Sequence, residues 1–353
     1  MVYITGWFLN YLTLWLRWVG IGAKFPALFA LLFIGVIITI RNSGTDTHSY
    51  EIWLSSVKSD TNTLSLEPGF VLIAELLLRL TGSEVWALRG IGVLFTLFLI
   101  VYWLRSDRYE LNLITLYFIP AFVFPYGMNA VRAGLGLALL LLAWQCLRRN
   151  NRMCFIILLL ISITFHYSMI LPALLLGVPK LKAKTWRPLL LIVIVFATFA
   201  AVALVFVQQG YILAKLELYS SSESPSPASG LSRIAMLAAL LLGFSLQALP
   251  FKTKLRAWAV IFGLGVLFQG LAFVFYAGLR FLDLVAFTSP FVLLLEFDHA
   301  GKRPGRSFWW GVGIAGILGA FFFLRNALAD YNGQLTGTLT PFLPYRTVFD
   351  PWP

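Results

Sequence analysis

The chain has 353 residues, 59% of them hydrophobic and 12% charged, with a formal net charge of +12. Soluble globular domains carry roughly 25% charged residues, and a water-soluble fold of this composition lacks the polar surface to cover its apolar side chains. A mean hydropathy of +0.84 and 16% aromatic residues point instead to a single integral membrane domain over 1–353, all-α and multi-pass.

A helix needs about 20 apolar residues to cross the hydrocarbon core, and as few as about 17 suffice. In chain order the expected crossings are Tyr3–Val19, Phe25–Ile40, Val85–Leu104, Leu111–Tyr126, Val131–Leu147, Met153–Phe165, Ser168–Val178, Pro188–Val207, Leu231–Leu249, Ala257–Tyr276, Phe281–Leu295 and Phe308–Leu324. That makes about 12 transmembrane helices. The two short ones around His166 are expected to form a hairpin broken near that residue. Phe70–Leu80 is too short to cross and reads as a re-entrant or interfacial helix. Asn10 and Arg17 interrupt the first apolar stretch, so no cleavable signal is expected.

Charge orients the stack. Seventeen of the 27 basic residues, but only four of the 15 acidic ones, fall in alternate loops, at Arg17, Arg105, Arg148, Lys182, Lys254 and Arg303 among others. The positive-inside rule puts those loops in the cytoplasm, so the basic balance reports topology and not nucleic-acid binding. Both termini then lie outside. So do residues 41–84 with their short helix, the Ser/Pro-rich flexible loop 208–230, and the C-terminal tail 325–353. Cys146 and Cys154 flank a basic cytoplasmic run and read as separate apolar thiols.

The residues that bear chemistry recur at the outer ends of the spans, where a charge is costly unless paired or used. They are Arg41, Asp46 and Tyr50 in Arg41-Asn-Ser-Gly-Thr-Asp-Thr-His-Ser-Tyr50; Glu67 before Pro68-Gly69; and Asn129 and Arg132 in a short turn. Further along are His166 in an apolar run, Arg280 with Asp283, and Tyr345 with Arg346 in the tail. Each has a plain reading. Arg41 and Arg280 serve equally as snorkelling interface anchors, Asp283 pairs with Arg280 along a helix, and His166 is a satisfied core histidine. Together, clustered guanidiniums suit a bidentate grip on a diphosphate, and an imidazole or carboxylate beside them suits proton abstraction from a hydroxyl. No phosphate-binding glycine loop, HExxH or spaced Cys/His metal site is present, and Asp46 with His48 makes only two ligands.

The ordered set Arg41-x-x-Gly-Thr-Asp-Thr-x-x-Tyr50, Glu67-Pro-Gly-Phe70, Arg132-Ala-Gly-Leu-Gly, Phe165-His166-x-Ser168, Arg280-Phe281 and Pro344-Tyr345 resembles the EpsG family, a branch of the Wzy-like polysaccharide (O-antigen, exopolysaccharide) polymerases. Ala133 departs from the pattern, which places Gln after the arginine. The resemblance implies a GT-C-like fold with short or re-entrant outer helices, in the bacterial cytoplasmic membrane, acting as a glycosyltransferase on its outer face. Donor and acceptor would be undecaprenyl-diphosphate-linked oligosaccharides, with no metal or other cofactor. A chain-length regulator or flippase of the same pathway would be a partner. Arg132 and Arg280, supported by Arg41, would bind the diphosphate. His166, or else Asp46 or Glu67, would be the base, and Tyr50, Asn129, Tyr345 and Arg346 would contact substrate. A flippase of lipid-linked oligosaccharide, a non-catalytic subunit of an export complex and an O-antigen ligase remain as alternatives.

The charge asymmetry gives a direct test of orientation. A cysteine introduced within Ser221–Ser229 should react with a membrane-impermeant reagent added outside, and one beside Lys182 should not. The reverse pattern would invert the topology.

Overall fold

The computed structural model describes residues 1–21, 24–58, 67–177, 179, 229–273, 276–331 and 340–350. Among them the architecture is helical, and the only β pairing is an isolated bridge between Arg41 and Thr347. Among the described residues six helices are long and apolar enough to cross a membrane, and four shorter ones are apolar. The chain is thus a multi-pass membrane protein. Eleven of the twelve expected stretches lie on helices. The remaining one, Pro188–Val207, and most of the 208–230 loop fall outside the described residues.

The chain divides into two compact units, Met1–Met169 with Val312–Pro353, and Ile170–Gly311. The first contains α1 (Val2–Trp18), α2 (Lys24–Thr39), α3 (Thr47–Lys58), α4 (Pro68–Thr81), α5 (Glu84–Arg105), α6 (Arg108–Asn129), α7 (Val131–Arg148) and α8 (Arg152–Phe165). Its core is α6 and α7, apolar on all sides and buried along almost their whole length. Such a helix belongs inside a bundle, not at its lipid face. Two π-turns, Ile114–Phe118 and Pro125–Asn129, widen α6 near Pro120 and Pro125. Proline donates no hydrogen bond and crowds the preceding turn, which favours such local widening.

At the Arg148 end of this unit Asp107 caps α6 in a reciprocal capping box with Glu110. Arg148 donates to both carboxylates, at 2.8 and 2.9 Å, and Gln145 donates to Glu110 at 2.9 Å. Cys146 and Cys154, expected as separate thiols, are joined by a disulfide. The turn after α7, with Asn150 at φ 57°, folds α8 back and brings their Cα atoms to 5.8 Å.

The second unit contains α9 (Ile170–Gly177), α10 (Leu231–Ser245), α11 (Phe251–Ala272) and α12 (Ala277–His299). The last long helix is α13 (Arg306–Tyr331), which belongs to the first unit from Val312 onward.

Candidate active site

Four chain segments of the first unit converge at the end of the bundle that carries Arg41. Glu67 is the N-cap of α4, with Pro68 at the first helical position. That is the place proline prefers, since its missing N–H is not needed there. Gly69 follows, and a Cβ on it would lie 2.3 Å from Thr164 Oγ1. Only glycine therefore lets the start of α4 press against the last turn of α8, where His166 ends that helix in an extended conformation. A 3₁₀ turn, Tyr167–Met169, follows. The break expected near His166 is present.

Arg132 stands in the first turn of α7. A Cβ on Gly134 would sit 2.3 Å from the Tyr126 carbonyl, so the tight reversal from α6 into α7 also requires glycine. A cation in the first turn of a helix meets the positive end of the helix dipole and needs an anion nearby. Glu67 supplies one. Arg132 Nη1 donates to Glu67 Oε2 at 2.7 Å, and Arg132 Nε donates to the Tyr50 hydroxyl at 3.3 Å. The other Glu67 oxygen, Oε1, lies 2.7 Å from His166 Nδ1. One buried carboxylate thus bridges a guanidinium and an imidazole.

Burial alone would raise the Glu67 carboxyl, but the His166 hydrogen bond and the Arg132 charge outweigh it and lower the pKa to about 2. An ionised carboxylate only accepts, so Nδ1 of His166 carries the proton. In a neutral imidazole Nε2 then keeps its lone pair, and it has no hydrogen-bond partner among the described residues.

The other residues singled out in the sequence are distributed around this triad. Tyr50, read as a substrate contact, is the acceptor for Arg132 and packs against Phe70, ring centroids 6.0 Å apart. Asn129 Oδ1 accepts from the Thr45 hydroxyl at 2.6 Å and from the Asp46 amide at 2.7 Å, fixing the turn before α3. Asp46 is half-buried and carries no ion pair among the described residues. Arg41 is fully buried, donating to the Met128 and Ile38 carbonyls. Burial lowers its pKa to about 9, and the charge of Arg89 acts in the same direction.

The tail lies along the Arg41 segment. The Asn42 amide donates to the Arg346 carbonyl at 2.7 Å, the Arg346 amide to Ser43 Oγ at 2.7 Å, and the Tyr345 hydroxyl to the Ile37 carbonyl at 2.8 Å. Burial raises the pKa of Tyr345 to about 12.

Arg280 belongs to the second unit. It is exposed, with its guanidinium over the Tyr276 ring at 5.7 Å. The Asp283 carboxylate accepts from Arg233 of α10. Two ionisable residues of the first unit escaped the sequence reading altogether. Arg89, on α5, donates to Glu51 of α3 at 2.6 Å. The signal was there, an arginine inside an otherwise apolar span. Among the described residues no group of three or more His, Cys, Asp or Glu side chains is arranged to hold a metal ion.

The sequence matches the EpsG family over residues 24–347. This chain belongs to the EpsG family. Membership places it among the Wzy-like membrane polysaccharide polymerases, in agreement with the ordered motifs and the helical membrane architecture. No curated protein and no solved structure matches the chain.

The lowered pKa of Glu67 makes a pH prediction. Because its folded value, about 2, lies below the ordinary 4.5, its ionised form contributes stability that is complete above about pH 4.5. That contribution is lost as pH falls towards 2. Glu67→Gln should lower thermal stability at neutral pH and flatten the decline across that window. Parallel acid limbs for the two proteins would mean that the bridge is not formed.

Proposed function

We propose that this EpsG-family chain is a GT-C-like glycosyltransferase with about 12 spans, active on the outer face of the bacterial cytoplasmic membrane. It joins undecaprenyl-diphosphate-linked oligosaccharide repeats into a polymer. The observation that carries the reading is the Glu67 carboxylate held between Arg132 and His166, both at 2.7 Å. Transfer of a growing glycan needs a base for a sugar hydroxyl and a cation for a departing diphosphate, and the bridge holds one of each side by side.

In the proposed reaction the acceptor hydroxyl gives its proton to His166 Nε2 while its oxygen bonds to the anomeric carbon of the donor. The bond from that carbon to the diphosphate oxygen breaks, and the diphosphate leaves with the electron pair. Arg132, in the first turn of α7, meets the developing charge, aided by the positive end of the α7 dipole. Glu67 holds the imidazole with Nδ1 protonated and stabilises the imidazolium as it forms, the role a buried carboxylate plays beside other catalytic histidines. Asp46, half-buried and without an ion pair among the described residues, is the alternative base. Arg280 keeps the diphosphate-binding role that the family motif gives it. Arg41, whose Nε and Nη1 hold carbonyls of the fold, supports the site from behind, with Asn129, Tyr345 and Arg346 ordering the backbone around it.

Purified protein in nanodiscs, supplied with its lipid-linked repeat unit, should build a ladder of longer glycans. A single transfer onto a different acceptor would identify a ligase, and substrate crossing the bilayer unaltered would identify a flippase. His166→Ala should cut turnover by about 10²-fold or more, in line with general-base contributions, while lipid-linked donor still binds. Arg132→Ala should abolish polymerisation, and Lys should rescue it poorly because an ammonium cannot reproduce the forked contacts. If His166→Ala polymerises normally while Asp46→Asn is inactive, Asp46 is the base.

A further inference from the structure

Arg89 is one of the two largest polar side chains that are almost completely buried, at 2% exposure, and it lies within the span α5. Glu51, at 11% side-chain exposure, is its one hydrogen-bond partner among the described residues, and Arg89 Nε and Nη2 have none. As a source of stability this pair is poor. Desolvating two charges costs several kcal/mol, recovered only when the remaining donors are satisfied, and an apolar pair of similar volume often does as well. Arg89 also sits within range of the like charge of Arg41. The arrangement is better explained by what it holds in place.

What it holds is α3. The inward face of that helix runs through Thr47, Leu54 and Val57, which are buried, and the half-buried Glu51, the spacing of one stripe on an α-helix. Glu51 follows Tyr50 directly, so the two side chains leave the helix about 100° apart. One meets Arg89 on α5, and the other accepts from Arg132 Nε. On its other side α3 packs through Tyr50 and Trp53 against Phe70 of α4. Those aromatic contacts restrain the position of the helix. The Glu51–Arg89 bond adds a directional contact that sets its rotation, and with it the Tyr50 hydroxyl.

We propose that Arg89 is a positioning residue: through Glu51 it fixes the rotation of α3, so that Tyr50 holds the Arg132 guanidinium in the orientation that receives the diphosphate. The chain of contacts runs from Arg89 through Glu51 and Tyr50 to Arg132 and its shared carboxylate, Glu67. The proposal rests on the diphosphate-binding role given to Arg132 above.

The test is a double-mutant cycle between positions 89 and 50 with the full-length protein in nanodiscs. Residues acting along one line lose less together than the sum of their separate losses. Arg89→Gln should reduce kcat/KM by about 10-fold in the wild-type background and by less than about twofold in Tyr50→Phe, while its effect on melting temperature is equal in both. Arg89→Lys should keep most activity, because the contact with Glu51 uses a single nitrogen, whereas Lys at position 132 should not. Glu51→Gln should reproduce Arg89→Gln, and it carries the cycle if Arg89→Gln fails to fold. Equal fold-losses in the two backgrounds, or losses that only follow melting temperature, would overturn the proposal. The same cycle read from binding of undecaprenyl diphosphate needs no turnover. A wild-type protein that binds the lipid with this coupling yet makes no polymer would overturn the polymerase reading and leave the positioning role standing.

Discussion

A carboxylate removed from water carries a penalty of several kcal/mol unless its oxygens are bonded and its charge is matched. Glu67 meets that condition with a different partner on each oxygen, Arg132 on one and His166 on the other. The three residues come from three different helices, so the bridge forms only if the start of α4, the start of α7 and the end of α8 meet. Two close approaches make this possible, Gly69 against Thr164 and Gly134 against the Tyr126 carbonyl. Ser162, which donates to the Gly136 carbonyl at 2.6 Å, keeps α8 seated on α7 below the meeting point.

Around that point the fold devotes its remaining polar groups to support. Arg41 ties the end of α2 to the end of α6, Asn129 orders the turn into α3, and the tail bonds across the backbone of residues 40–44. These groups are buried or half-buried in a helical scaffold whose interior is largely apolar. A low-polarity surround strengthens each hydrogen bond and raises the cost of leaving any donor unpaired. Losing one support is therefore felt at its neighbours, which is why a residue such as Arg89, with no direct contact to Glu67, acts on the site through Glu51 and Tyr50.

Much of this was legible in the residues. Continuous apolar runs marked the helices, since a helix in lipid must be apolar and satisfies its own backbone. His166, Arg132 and Glu67 stood out as charges or polar groups at span ends. Other features were hidden for physical reasons. The polar stretch Thr47–Lys58 read as loop because only one narrow stripe of α3 is buried, although Tyr50, Leu54 and Val57 already carried its period. The pairing of Cys146 with Cys154 depends on the reversal at Asn150, which eight residues of spacing do not reveal. Arg41 and Tyr345 are turned inward onto backbone carbonyls, a direction no motif encodes. Arg233 on α10 bonds Asp283, a contact between two helices that local spacing along one of them does not reveal.

Glu67 fixes His166 with its proton on Nδ1 and, in the neutral ring, its lone pair on Nε2. Nitrogen-15 NMR of histidine-labelled protein in nanodiscs reads this directly, and with three histidines in the chain the His166 signals are identified by their loss in His166→Ala. The neutral imidazole should show a protonated Nδ1 and an unprotonated Nε2, with that preference abolished in Glu67→Gln. A wild-type imidazole protonated on Nε2 alone, or one unchanged by Glu67→Gln, would contradict it.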